Sequence, residues 1–137
     1  MSYLAKLIYY SLRIFRFSHI VESKMLNNGF DESPTKPGRK IYSKAEVLIE
    51  RILGRCIWEV KPKDTKSDVV ILFLHGGAYM ANITKMHWNL VEKLIDITSA
   101  VIVVLDYPLA SQSTWKDTYN FMDELYSHLT EKYKEKN

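Results

Sequence analysis

Two unbroken apolar runs constrain the fold of this chain more than any other feature of its sequence. They cover residues 69–74 and 100–105, and neither contains a polar or a charged residue. Strands of a parallel sheet with both faces covered have this composition, because both rows of side chains are buried. Between the runs, side chains recur at helical spacing from about Thr84, namely Trp88, Val91, Leu94, Ile95 and Thr98. The order strand, helix, strand predicts a right-handed crossover unit of an α/β fold.

The segments before this unit give a mixed prediction. Residues 27–40 are rich in Gly, Pro and Asn, which predicts a surface loop. Residues 43–53 are ambiguous, because Ser43 and Glu46 have the spacing of a helical capping box, whereas the apolar positions from Val47 onward also alternate as in a strand. Residues 55–60 alternate, so we expect a strand there, followed by a turn over residues 61–68.

After the second apolar run, residues 108–113 predict a loop and residues 115–134 a long helix. The helical period places five apolar or aromatic side chains on its predicted inner face, namely Tyr119, Met122, Leu125, Tyr126 and Leu129. The charged residues at the end of this segment are typical of a solvated helix end.

An amphipathic helix is predicted near the N-terminus. One side of it carries Leu4, Ile8, Leu12 and Phe15, and the basic residues Lys6, Arg13 and Arg16 lie opposite. These charges interrupt the run too often for a membrane span. Two interpretations stay open: the helix covers the rest of the fold or a partner, or it lies on an anionic membrane surface. We therefore expect residues 1–40 to form a cap-like helix and loop, and residues 41–137 a second domain.

Composition excludes several classes of function. With 137 residues, 47% of them hydrophobic and 26% charged, the chain is expected to be globular. Nineteen basic and sixteen acidic residues leave a net charge of +3, too even a balance for a nucleic-acid partner. The single cysteine, Cys56, can form neither an internal disulfide nor a cysteine zinc site, so we expect a cytoplasmic protein.

The first apolar run leads directly into residues 75–79, with the sequence His-Gly-Gly-Ala-Tyr. Ligands bind at the carboxyl ends of strands in open parallel sheets. Two glycines there let the backbone approach a bound group, so that successive N–H groups can stabilise a negative oxygen. The alternative is a tight turn with His75 as a structural residue. The spacing alone does not separate the two.

Residues 73–79, together with residues 104–110 (Val-Leu-Asp-Tyr-Pro-Leu-Ala), resemble the hormone-sensitive-lipase-like branch of the α/β-hydrolase fold, whose members are carboxylesterases and lipases. The resemblance implies the N-terminal portion of a mixed, mostly parallel sheet with flanking helices, and a strand rather than a helix over residues 43–53. It implies that the N–H groups of Gly77 and Ala78 form an oxyanion hole. It further implies that four residues support that loop, namely His75, Gly76, Asp106 and Tyr107.

The sequence departs from this family in two ways. Ala78 stands where the third glycine is usual, which keeps an N–H but adds a methyl group beside the acyl pocket. None of the five glycines fits the Gly-x-Ser-x-Gly elbow of the nucleophile. We therefore expect an N-terminal fragment of a serine ester hydrolase, inactive alone, whose strand at residues 69–74 is left at the sheet edge.

The other candidate residues are interpreted as ordinary. His19, His87 and His128 are expected to be surface or packing residues, and Cys56 is not expected to be a nucleophile. His75 and His87 lack a third metal ligand, so neither a metal nor a cofactor is expected. The expected ligand of the complete protein is a small ester with a short or medium acyl group. The alternative function is a non-catalytic binding or membrane-surface interaction protein.

Overall fold

The computed structural model of the protein describes residues 3–14, 19, 22–23, 33–64, 67–110 and 112–134. Its contacts divide the chain into two units, Met1–Asp31 and Glu32–Asn137, which are described separately. The domain boundary expected after residue 40 stays a prediction.

The first unit contains helix α1 (Tyr3–Ile14). Leu4 and Ile8, two of the four residues of the predicted apolar side, are 65% and 50% exposed. Leu12 belongs to α1, and Phe15 lies outside the described residues. Within the described ranges, no helix has the length and apolar character that crossing a bilayer requires.

The second unit is a four-stranded mixed sheet with helices on both faces. In chain order its elements are α2 (Arg39–Lys44), β1 (Ala45–Ile52), β2 (Arg55–Pro62), β3 (Val70–Phe73), α3 (Lys85–Thr98), β4 (Val101–Leu105) and α4 (Trp115–Lys134). The strand order is β1-β2-β4-β3, and the β3–β4 pair is parallel while the other two pairs are antiparallel. This arrangement confirms the predicted mixed sheet with flanking helices, although within the described residues only one of its three strand pairs is parallel. In the described part of the chain β3 is an edge strand, as expected.

The core lies on the two faces of β4, which is buried along its whole length. Helix α3 covers one face, where Trp88 packs edge-on against Trp58 of β2 with ring centroids 5.5 Å apart. Helix α4 covers the other face through Phe121 and Leu125. The continuous apolar sequence of β4 is therefore explained, because both of its rows of side chains contact a helix.

The structure settles the ambiguous segment in favour of the strand. Residues 45–52 form β1, which pairs with β2 from Ala45↔Pro62 to Ile52↔Arg55. The predicted capping box at Ser43 does not start a helix there. Ser43 instead lies inside α2, which was not predicted and begins within the expected loop. Strand β2 also extends to Pro62, so the predicted turn begins two residues later than expected.

The predicted inner face of α4 was partly wrong. Leu125 is buried as expected, but Tyr119 and Tyr126 are 65% and 70% exposed, and Phe121 is the second buried residue. A tyrosine ring tolerates exposure because its hydroxyl group is polar. The prediction counted tyrosine as an apolar residue, and it therefore placed the buried face of α4 partly on the wrong side of the helix.

Candidate functional site

The candidate site lies at the carboxyl ends of two parallel strands. His75 lies two residues beyond the end of β3, and Asp106 and Tyr107 follow the end of β4, so all three residues lie at the same edge of the sheet. His75 is 3% and Tyr107 8% exposed, and their rings stack with centroids 4.6 Å apart. The Tyr107 hydroxyl donates a hydrogen bond of 2.7 Å to the His75 carbonyl. Burial raises the pKa of Tyr107 and so favours its protonated, donating form.

The loop after His75 has a backbone that few residues can adopt. Gly77 has φ +141°, Ala78 has φ +54° and Tyr79 has φ +61°. A Cβ atom at Gly77 would lie 2.4 Å from the Ala81 carbonyl oxygen, so glycine is required there. Left-handed dihedrals cost an L-residue roughly 1–2 kcal/mol. Two consecutive non-glycine residues in this region indicate that the surrounding contacts fix the loop.

Two hydrogen-bonded carbonyls orient the N–H groups of Gly77 and Ala78. The Gly76 carbonyl accepts from Nδ1 of His75 at 2.9 Å, and the Gly77 carbonyl accepts from the N–H groups of Met80 and Ala81 at 3.0 and 2.9 Å. In a planar trans peptide the N–H points opposite to the C=O. The N–H groups of Gly77 and Ala78 therefore point away from these partners.

Both N–H groups are available to a ligand. Among the described residues, neither Gly77 nor Ala78 donates its N–H to any acceptor, and both residues are exposed. Unpaired backbone donors are rare in folded proteins unless water or a ligand satisfies them. The arrangement can therefore bind a small anionic or partly negative oxygen atom.

Tyr79 joins the loop to α4 and to the segment after β4. Its hydroxyl group is hydrogen-bonded to Oγ1 of Thr118, and it lies 3.2 Å from the Thr114 carbonyl. Its own carbonyl accepts from the Ala110 N–H at 2.9 Å. The sequence analysis did not identify Tyr79 as a support, although its position directly after the glycines was a usable signal.

Asp106 holds the far end of the loop through a residue that sequence reasoning missed. Its Oδ1 accepts from Nδ2 of Asn82 at 2.8 Å and lies 3.6 Å from the guanidinium of Arg55. Oδ1 of Asn82 in turn accepts from the Ile83 N–H at 2.6 Å. Asn82 and Asp106 are 3% and 5% exposed. Nothing in the sequence marks Asn82, because only the fold brings it to Asp106.

His87 lies beside the loop rather than on the open surface. It is the third residue of α3, and its Nδ1 accepts the N–H of the N-cap residue Thr84 at 3.0 Å. Its ring centroid is 5.5 Å from that of His75. Burial, and secondarily the nearby His75, lower the pKa of His87 and so favour its neutral form.

The remaining candidates are placed elsewhere. Nε2 of His128 lies 3.0 Å from Oε2 of Glu50, and Nδ1 of His19 lies 3.6 Å from Oε2 of Glu22. Cys56 is a half-buried strand residue whose carbonyl accepts the Asp106 N–H. Across the described ranges, no three His, Cys, Asp or Glu side chains are grouped so that they could hold a metal ion.

Similar solved structures are esterases and lipases. A putative esterase from Staphylococcus aureus matches with 20% identity and a TM-score of 0.65, over 88% of this chain and 38% of that protein. An esterase/lipase from an uncultured bacterium matches with 21% identity and a TM-score of 0.58, over 72% of this chain and 32% of its own. A hormone-sensitive lipase from a metagenome library matches with 22% identity and a TM-score of 0.58, over 74% and 33% of the two chains.

These likenesses show the fold, and the region they share with this chain is only 32–38% of the length of the three solved proteins. No curated protein matches the sequence significantly. The sequence family described as steryl acetyl hydrolase matches residues 1–135, which is nearly the whole chain. Because this match covers nearly the whole chain, the chain belongs to the steryl acetyl hydrolase family.

Proposed function

We propose that this chain supplies the oxyanion-binding loop of a serine carboxylic ester hydrolase, with the N–H groups of Gly77 and Ala78 as the donors. The observation that carries the proposal is that Gly77 and Ala78 are both exposed residues and that neither N–H has an acceptor among the described residues.

The chemistry follows from where charge develops in ester hydrolysis. When a serine attacks the acyl carbon, the carbonyl oxygen becomes negative, and fixed N–H donors stabilise that oxygen. The sequence contains no Gly-x-Ser-x-Gly elbow, so the serine must come from outside these residues. We therefore expect the chain alone to be inactive on esters.

His75, Tyr107 and Asp106 act through the backbone in this proposal. His75 holds the Gly76 carbonyl, Tyr107 holds the His75 carbonyl, and Asp106 holds Asn82 beyond the loop. None of the three side chains is needed at the reacting carbon. Their contribution is to keep the donors in place before the substrate binds, which avoids reorganisation during the reaction.

The family description and Ala78 favour an ester with a small acyl group. The family is described as steryl acetyl hydrolase, so the proposed substrate class is the acetyl ester of a sterol. The methyl group of Ala78 stands where a third glycine would leave more space. Replacing Ala78 with Gly is expected to increase activity on butyryl relative to acetyl esters.

The test is an assay of the longest reading frame of the gene that contains these residues. The expressed protein is expected to hydrolyse p-nitrophenyl acetate and a steryl acetate, whereas residues 1–137 alone are not. Displacing a donor with Gly77→Ala should lower kcat on the order of 10²–10³-fold. Gly38→Ala is the matched control, because a Cβ at Gly38 would meet nothing within 4 Å and Gly38 lies outside the loop. Equal activity of the two variants would refute the assignment of Gly77.

A second function is favoured by a separate observation on α1. Leu4, Leu7 and Ile8 are 65%, 60% and 50% exposed, and Tyr3 is exposed beside them. Exposed apolar and tyrosine side chains of a basic helix suit the surface of an anionic bilayer. The alternative is thus a membrane-surface interaction protein that does not depend on the loop.

Sedimentation with anionic vesicles tests that alternative. Ile8→Ser in α1 should weaken binding, and Leu48→Ser, which alters an exposed leucine of β1, should not. Binding that both variants reduce equally, or no binding at all, would count against a membrane role for α1.

A further inference from the structure

His75 has one ring nitrogen whose role is fixed and one that lacks a partner. Its Nδ1 lies 2.9 Å from the Gly76 carbonyl, and because a carbonyl oxygen only accepts, Nδ1 carries the proton. In the neutral ring, Nε2 is then an acceptor. Nε2 is buried and has no hydrogen-bond partner among the described residues. A buried acceptor without a hydrogen-bond donor destabilises the folded chain, so we expect a donor near Nε2 of His75.

His87 has the complementary arrangement. Its Nδ1 accepts the N–H of Thr84 at 3.0 Å, so in the neutral ring the proton is on Nε2. The two ring centroids are 5.5 Å apart and the planes are inclined by 41°. A buried acceptor and a ring N–H donor thus belong to neighbouring rings whose centroids are 5.5 Å apart, and a bridging water is one ordinary way to satisfy a buried acceptor.

We propose that His87 is a positioning residue for the loop, and that its Nε2–H donates to Nε2 of His75, directly or through one water. The donation keeps the His75 proton on Nδ1, where it binds the Gly76 carbonyl. The Gly76 carbonyl and the Gly77 N–H belong to one peptide plane, so this bond sets the direction of the Gly77 N–H. The importance of that direction rests on the proposed function, but the contact itself does not.

The opposite tautomer shows why a donor matters. With its proton on Nε2, His75 would present the lone pair of Nδ1 to the lone pairs of the Gly76 carbonyl. The peptide that joins Gly76 and Gly77 would then lose its anchor and could rotate. A donor that occupies Nε2 excludes this state, which is the usual way in which a hydrogen bond at one ring nitrogen fixes the other.

The experiment is ¹⁵N NMR of the imidazole nitrogens in the 137-residue chain near neutral pH. We expect His75 with its proton on Nδ1 and His87 with its proton on Nε2, each as a single tautomer. Any other pair of tautomers in the unmutated chain overturns the proposal. This measurement does not depend on a variant that folds, or on ester hydrolysis, so the proposed function can fail while this contact stands.

Two variants of the Thr84–His87 capping box distinguish the effect of His87 on His75 from its effect on the N-terminus of α3. His87→Leu removes the donor and is expected to convert His75 to a mixture of tautomers and to shift the Gly77 amide resonance. Thr84→Ala weakens the helix cap through the other residue of the pair, yet leaves both imidazoles, and should leave the His75 tautomer unchanged. An unchanged single His75 tautomer in His87→Leu, or an equal change in Thr84→Ala, would overturn the assignment.

Discussion

Gly77 lies so close to Ala81 that a Cβ atom added to it would be 2.4 Å from the Ala81 carbonyl oxygen. That carbonyl is backbone and cannot rotate away as a side chain can. With φ at +141°, Gly77 also has a dihedral that residues with a side chain rarely adopt. The loop conformation therefore depends on this one residue, whereas its neighbour Gly76 has open space around it.

We expect Gly77→Ala to lower the free energy of unfolding by about 1–3 kcal/mol, because strained backbone positions cost about that much. Gly76→Ala should change it by less than about 0.5 kcal/mol, as for exposed substitutions away from special features. Urea unfolding followed by tryptophan fluorescence measures both. A Gly77→Ala protein as stable as Gly76→Ala would show that the loop relaxes without cost.

Tyr107→Phe tests whether the hydroxyl group holds the loop. The substitution keeps the stacked ring but leaves the buried His75 carbonyl without its 2.7 Å donor. We expect a loss of about 1–3 kcal/mol of unfolding free energy, the cost of an unsatisfied buried group. Thermal unfolding measures the loss. Tyr126→Phe, at a tyrosine that is 70% exposed, is the matched control and should leave the melting temperature unchanged. Two equal melting temperatures would show that the hydroxyl does not stabilise the fold.

Local sequence patterns predicted the parts of this fold that rest on local chemistry. The apolar runs predicted β3 and β4, and the helical spacing from about Thr84 predicted α3. Strand β1 followed only from the family resemblance, because residues 43–53 satisfy helical and strand patterns alike. Local propensity does not distinguish a helix from a strand in this segment. The pairing of β1 with β2 determines that it is a strand.

The candidate site was predictable only where its residues adjoin a strand end. His75 and Tyr107 each lie two residues beyond the end of β3 and β4, so the strand predictions placed them at one edge of the sheet. Asn82 and His87 reach the site from the far side of the loop, and their partners are 24 and 12 residues away in sequence. Their roles depend on how the loop turns, which is set by positive dihedrals at Ala78 and Tyr79 that sequence patterns do not reveal.

The β1–β2 turn offers a stabilising substitution. Leu53 and Gly54 have φ +47° and +80°, as in the two-residue hairpin turns that prefer Asn-Gly. Leu53 is 68% exposed, so its side chain contributes little packing. Leu53→Asn should raise the free energy of unfolding by about 0.5–1 kcal/mol, because Asn tolerates the left-handed region. Leu48→Asn, at an exposed position within β1, should not, and a gain at both positions would contradict the turn argument.

The acid stability of the fold depends in part on Glu50. The hydrogen bond from Lys132 lowers the pKa of Glu50 and a second one from His128 adds to this, although burial opposes them. A carboxyl group whose pKa is lower in the folded chain stabilises the fold at pH values above its unfolded pKa of about 4.3, and loses that effect as the pH falls.

Glu50→Gln should therefore reduce the unfolding free energy at pH 7 and flatten its fall between about pH 5 and pH 3, the range in which an ordinary glutamate titrates. Glu131→Gln removes one charge from the exposed side of α4 and serves as the control. Urea unfolding at several pH values gives the slopes. If Glu50→Gln kept the slope of the unmutated chain, the bond between Glu50 and Lys132 would not be coupled to folding.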